Sequence, residues 1–107
     1  MKPRIRLGLG AAMLLAVAGS AAADDIARGK ALFTGEASPP CGLCHTLADA
    51  GTEGAIGPVL DDLKPDAARV AATVTQGVGV MPAYAEILPA SDIAALAAYV
   101  SSATGAQ

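Results

Sequence analysis

Cys41-Gly42-Leu43-Cys44-His45 sets two cysteines three residues apart and a histidine directly after the second. Thiols at that spacing share one local turn, and the adjacent imidazole is carried to the same side. The pattern predicts a covalent anchor for haem: each thiol adds to one vinyl group at the ring edge, and His45 is forced over the iron. Three rival chemistries use the same residue types. A thioredoxin-like redox pair wants its Cys-x-x-Cys on a βαβ pattern, and no segment here carries sustained period-two alternation. A structural zinc site wants four ligands, whereas two cysteines and one histidine supply three. A disulfide between Cys41 and Cys44 would close a very small loop and stabilise little. None of these needs a histidine at position 45.

His45 is the only histidine, so two imidazoles from one chain cannot hold the iron. Met1 and Met13 fall in an apolar amino-terminal leader, which leaves Met81 as the candidate for the sixth position. A lone methionine ordinarily fills a gap in a core. Here Gly79-Val80-Met81-Pro82 places it between a glycine and a proline, in an irregular loop that can aim it. A thioether opposite imidazole favours ferrous iron and raises the reduction potential. It also fills the last position on the metal, which favours electron transfer over catalysis. A ligating histidine commonly donates its other ring N–H to a carbonyl, and Pro58, in Ile56-Gly57-Pro58-Val59-Leu60, can offer one rigidly. Lys64 and Arg69 are candidates for neutralising the propionates, although solvated helix positions explain them as well.

At the amino end, Lys2, Arg4 and Arg6 precede an apolar run from Leu7 to Ala18, and Ala21-Ala22-Ala23 follows. That is the three-part form of a secretory signal. The run is shorter than the roughly 20 residues of a membrane span, so cleavage after Ala23 is expected, giving a leader over 1–23 and a mature domain over 24–107. No cysteine lies near the cut to take a lipid, and Arg4 and Arg6 are not adjacent as a twin-arginine signal would require. The expected location is periplasmic, without a stable membrane anchor. Removing 23 of 107 residues leaves 84; the leader takes three of the seven basic residues and none of the ten acids, so the mature chain carries a formal charge of −6. Nucleic acid and anionic lipid would repel such a surface. The chain has one Phe, two Tyr and no Trp. Aromatic side chains normally supply much of a small core, so a large apolar cofactor is expected to supply the missing interior.

The element pattern is helical. Ile26 to Phe33 reads as a first helix capped by Asp24 or Asp25, with Gly29 at a close contact. Gly35 to Pro40 is turn-rich, and Ala48 to Pro58 reads as a glycine-rich loop. Pro65 suits the first turn of a helix running to Gln76 and ended by Gly77. Ser91 reads as the cap of a last helix, with Ile93, Leu96, Tyr99 and Val100 as its apolar stripe.

Taken together, Gly29, Phe33, the Cys41-Cys44-His45 motif, Gly57-Pro58-Val59-Leu60, Met81-Pro82 and Tyr99 resemble the class I cytochrome c family over nearly all of residues 24–104. The resemblance implies an all-α cytochrome c fold of three to four short helices around one covalently attached haem. It further implies a crossing of the first and last helices at Gly29 with Phe33 and Tyr99 packed there, Pro58 holding His45, and one haem edge open to partners. The chain departs from the family in the seven residues between Phe33 and Cys41, a longer spacer than usual, and in lacking a lysine-rich docking face. Within the family, Cys41–Leu47 and Leu63–Val70 resemble small periplasmic cytochromes that accept electrons from sulfite dehydrogenases. The function these readings imply is a non-enzymatic electron carrier between a redox donor and an acceptor, as a monomer or in transient complexes. A dedicated cytochrome subunit of an oxidoreductase, and a peroxidase or sensor with a displaceable methionine, are the alternatives.

Overall fold

The computed structural model describes residues 20–106 together with Pro3, Gly8 and Gly10. The expected leader lies outside the described residues except at those three positions and at Ser20–Ala23. In chain order come α1 (Ser20–Ala31), a π-helical turn (Leu32–Glu36), a 3-10 turn (Cys41–Leu43), β1 (Thr46–Leu47), a second 3-10 turn (Ala48–Ala50), β2 (Thr52–Glu53), α2 (Leu60–Leu63), α3 (Ala67–Gln76) and α4 (Ala90–Thr104). The all-α architecture is the expected one, with a small addition. β1 and β2 pair antiparallel, Thr46 opposite Glu53 and Leu47 opposite Thr52. Strands this short cannot print a period-two pattern, which is why the segment reads as loop.

Element ends differ from expectation for identifiable reasons. Ala21-Ala22-Ala23 are strong helix formers, so α1 reaches back through them and Asp24 and Asp25 lie in its interior, not at its cap. The four-residue α2 is too short to show a helical period, and it ends at Lys64, held at φ 46° in the left-handed region. Asp66 caps α3 by accepting a 2.8 Å bond from the Arg69 N–H. Pro65 therefore precedes the helix instead of opening it. Gly77, at φ 70°, ends α3 as expected. α4 starts after Pro89, whose fixed φ is suited to a helix entry, so Ser91 falls within the first turn and makes no cap.

Among the described residues the most extensive packing is α1 against α4. A Cβ on Gly29 would lie 2.5 Å from the Tyr99 Cβ and 2.9 Å from the Ala95 carbonyl carbon, so only glycine lets the two backbones meet. One turn further on, Phe33 meets Tyr99 edge-on, with ring centroids 5.9 Å apart at 66°. This is the crossing implied by the family resemblance. Polar groups frame it. The Arg28 guanidinium donates to both Asp92 oxygens, at 3.2 and 3.1 Å, and also pairs with Glu36. The Tyr99 hydroxyl donates to Asp49 at 2.7 Å, and Lys30 approaches the same carboxylate at 3.4 Å. That hydrogen bond, with the nearby lysine, holds the Asp49 carboxyl below its ordinary value. Leu32, Phe33, Leu47, Leu96 and Tyr99 are the largest fully buried side chains.

Two outcomes are expected. Gly29→Ala should destabilise the folded protein by about 1–3 kcal/mol, the usual size of overpacking, measured as a shift in the denaturant midpoint at unchanged slope. For Asp49, a carboxylate lowered in the native state stabilises above its unfolded value near 3.8 and loses that contribution as pH falls through the lower native value. Tyr99→Phe should therefore be less stable than the parent at neutral pH, and the gap should narrow below about pH 4. Thermal melts from pH 7 to pH 2.5 test this; a gap that stays constant would rule the linkage out.

Candidate cofactor site

The motif winds into a single tight turn. Leu43 donates to the Pro40 carbonyl at 3.1 Å, and Cys44 and His45 donate to the Cys41 carbonyl at 3.2 and 3.0 Å. The short hairpin after it holds the turn from behind. The Thr52 hydroxyl donates to the His45 carbonyl at 2.9 Å, and the Gly57 N–H donates to the Cys44 carbonyl at 2.8 Å. Cys41 and Cys44 are both free thiols in the fold. Among the described residues no cluster of three or more His, Cys, Asp or Glu side chains occurs that could hold a metal ion.

His45 is oriented by two neighbours. Its Nδ1 lies 2.8 Å from the Pro58 carbonyl oxygen. A carbonyl only accepts, so Nδ1–H is the donor, and in the neutral ring Nε2 keeps its lone pair. Gly57 covers the ring face: a Cβ there would fall 2.5 Å from Cε1 and 2.8 Å from Nδ1. The sequence placed Pro58 correctly but had no signal for what Gly57 does, since the ring's position depends on how the chain turns between residues 53 and 58.

Cys41, His45 and Met81 line one cavity of about 440 Å³. Its other walls are mainly apolar, from Phe33 and Leu60 through Val70 and Val74 on α3 to Leu96 and Val100 on α4. That volume lies within the range of cofactor pockets. A thiol and an imidazole reach it from the motif turn, and a thioether reaches it from the 77–82 loop. The set fits haem: an apolar slot for the macrocycle, with one sulfur donor to its edge and two soft or borderline donors for the iron. Cys44, half-buried on the same turn, does not line the cavity. Burial pushes the Cys41 thiol up to about 11, which disfavours a thiolate and suits a neutral thioether. Of the two candidate propionate partners, Arg69 borders the cavity and Lys64 does not.

Tyr84 is the residue that sequence reasoning missed. Only 3 % exposed, its hydroxyl donates to the Pro39 carbonyl at 2.6 Å, and burial raises it to about 12. The available signal was scarcity: in a chain with three aromatic residues, each one is expected to fill core.

Two comparisons with known proteins found similar ones. A family model described as cytochrome C oxidase, cbb3-type, subunit III matches residues 24–100. The crystal structure of the c-type cytochrome SorU from Sinorhizobium meliloti is 51% identical in sequence, covering 78% of this chain and 95% of that one, with a TM-score of 0.75. No curated protein sequence matches.

Gly57→Ala should drive the His45 ring off the Pro58 carbonyl, because the new methyl group would occupy the ring's place. The slowly exchanging Nδ1–H proton resonance expected in the parent should disappear, and the thermal midpoint should drop. A resonance unchanged in position and exchange rate would mean that the ring is held by something else.

Proposed function

The chain belongs to the c-type cytochromes, with one haem attached through Cys41 and Cys44, and on that premise we propose that His45 and Met81 are the axial ligands in an exported electron shuttle. Bound haem supplies a one-electron ferric/ferrous couple. The protein's own contributions follow from the cavity. The Pro58 carbonyl fixes the tautomer and orientation of His45. The Met81 thioether is neutral and polarizable, so it favours the ferrous state and raises the potential. Val70 and Val74 of α3 and Leu96 and Val100 of α4 would keep water from the iron and lower the local dielectric around it. If His45 and Met81 both hold the iron, no position on the metal would be left for a substrate, which supports a carrier and not an enzyme. The observation that carries this reading is the placing of a carbonyl-oriented imidazole and the only mature methionine on the same apolar cavity.

Export is supported by the three-part leader over 1–23, and the family match begins at residue 24, the expected first residue of the mature chain. Among the described residues no helix is long and apolar enough to cross a membrane. The donor is inferred from the Cys41–Leu47 and Leu63–Val70 segments, whose resemblance favours a sulfite dehydrogenase. Arg69 is the favoured propionate partner, since it borders the cavity. A second reading, a cytochrome held in a standing complex with one oxidoreductase, is favoured by Val78 and Val80, which flank the Met81 loop at 65% and 88% exposure. Co-purification with a larger chain at stoichiometric amount would select it; free monomer would select the shuttle.

The axial assignment is tested by Met81→Ala. The ferric parent should show the near-infrared sulfur-to-iron band, and the variant should lose it. The variant's reduction potential should fall by on the order of 0.1 V, within the span that axial ligation controls. A parent without the band and a variant with the same spectrum would defeat the assignment.

A further inference from the structure

We propose that Tyr84 is a positioning residue for Met81, acting through the spacer that precedes the Cys-x-x-Cys-His turn; the inference rests on Met81 being an axial ligand. Met81 is held locally by a two-bond bridge, its N–H donating to the Val78 carbonyl at 2.9 Å and its carbonyl accepting from the Val78 N–H at 3.2 Å. That bridge ties the loop to itself alone. Three residues later, Tyr84 ties it to the rest of the protein. Its N–H donates to the Val74 carbonyl at 2.8 Å near the end of α3, and its carbonyl accepts from Ile87 and Leu88 at 2.9 and 2.8 Å. Its hydroxyl reaches 45 residues back in sequence to the Pro39 carbonyl at 2.6 Å.

The acceptor lies in the spacer between Phe33 and Cys41. Pro39 sits two residues before Cys41, and Pro39-Pro40 has two fixed φ angles and no N–H, so its carbonyl is held stiffly at the edge of the motif turn. The Tyr84 hydroxyl therefore joins the segment that carries the methionine to the segment that leads into the first cysteine. When the hydroxyl is removed, the Pro39 carbonyl loses its partner and the methionine loop can part from the spacer while α3 stays folded.

The test uses the ferric holoprotein and cyanide, which can reach the iron only after Met81 leaves it. Tyr84→Phe should keep the near-infrared sulfur-to-iron band but bind cyanide about tenfold faster, the factor that one net hydrogen bond is worth. Tyr99→Phe loses a tyrosine hydroxyl bond of similar length away from the methionine loop. It should lower the thermal midpoint while leaving the cyanide rate at the parent value. Equal rates for Tyr84→Phe and the parent would overturn the proposal, as would equal acceleration in both variants. A ferric parent that lacks the band would instead defeat the axial assignment, and this inference with it. Should Tyr84→Phe fail to yield holoprotein, amide exchange in the parent decides: the Met81 and Ala37 amides should open at the same rate if loop and spacer move together. Opening of Met81 tenfold or more faster than Ala37 would overturn the tie.

Discussion

A five-residue turn must present two sulfurs and an imidazole from one short piece of backbone, and the surrounding structure is arranged to hold that turn still. Its bonds to the Pro40 and Cys41 carbonyls would not persist alone, because a single turn of 3-10 helix is marginal in water. The hairpin and the loop after it supply what the turn lacks: Thr52 and Gly57 take up the carbonyls of His45 and Cys44. The second 3-10 turn is pinned in its own right, by the Asp61 carboxylate accepting from the Ala48 N–H at 2.9 Å. The small β-pair is thus best understood as a brace for the motif, not as a fragment of sheet.

The rest of the fold forms the other walls of one cavity. α1 and α4 cross tightly because Gly29 and Ala95 remove the side chains that would separate them. The crossing directs Phe33, Leu96 and Val100 toward the cavity and Tyr99 away from it, where its hydroxyl can meet Asp49. The protein therefore builds about half of a conventional core, with aliphatic and small residues, and leaves the other half as an apolar surface around the cofactor. All three aromatic residues are nearly fully buried, and none is left over for a second core. The acidic charge stays outside, and Arg28, Lys30 and Arg69 are each set near an acid or at the cavity edge.

What could be read from sequence followed from the range of the interaction involved. The Cys41–His45 motif, the glycine at the helix crossing and the end of α3 at Gly77 are local or single-residue constraints, and the structure places them as expected. Pro58 was legible because a proline fixes its own carbonyl direction. The misplaced features depend on competition between neighbours. The start of α1 was shifted by three alanines, and the entry to α4 by Pro89 prevailing over Ser91. The hairpin and α2 were invisible because two- and four-residue elements carry no period. The roles of Tyr84 and Gly57 were not legible, although scarcity marked Tyr84 as core and the Gly57-Pro58 segment was part of the resemblance, since each acts on a residue that only the fold brings near.

The two sides of the cavity differ in how they are held, and this bears on the order in which the site can assemble. Every bond that supports His45 spans fewer than about fifteen residues, so the turn, the hairpin and the Pro58 carbonyl can form together with little loop-closure entropy. The methionine side depends on contacts that close loops of more than forty residues, from Tyr84 to Pro39 and from α4 back to α1. Those contacts gain most of their apolar reward only when the cavity is filled, because otherwise the faces of α3 and α4 that line it stay wet. Covalent attachment at the motif resolves the ordering. A cofactor joined to the locally formed side is already in place when the distant side closes, and its effective concentration does not fall when the protein is diluted. The Cys-x-x-Cys-His turn is in this sense the first wall of the core as well as the anchor of the redox centre.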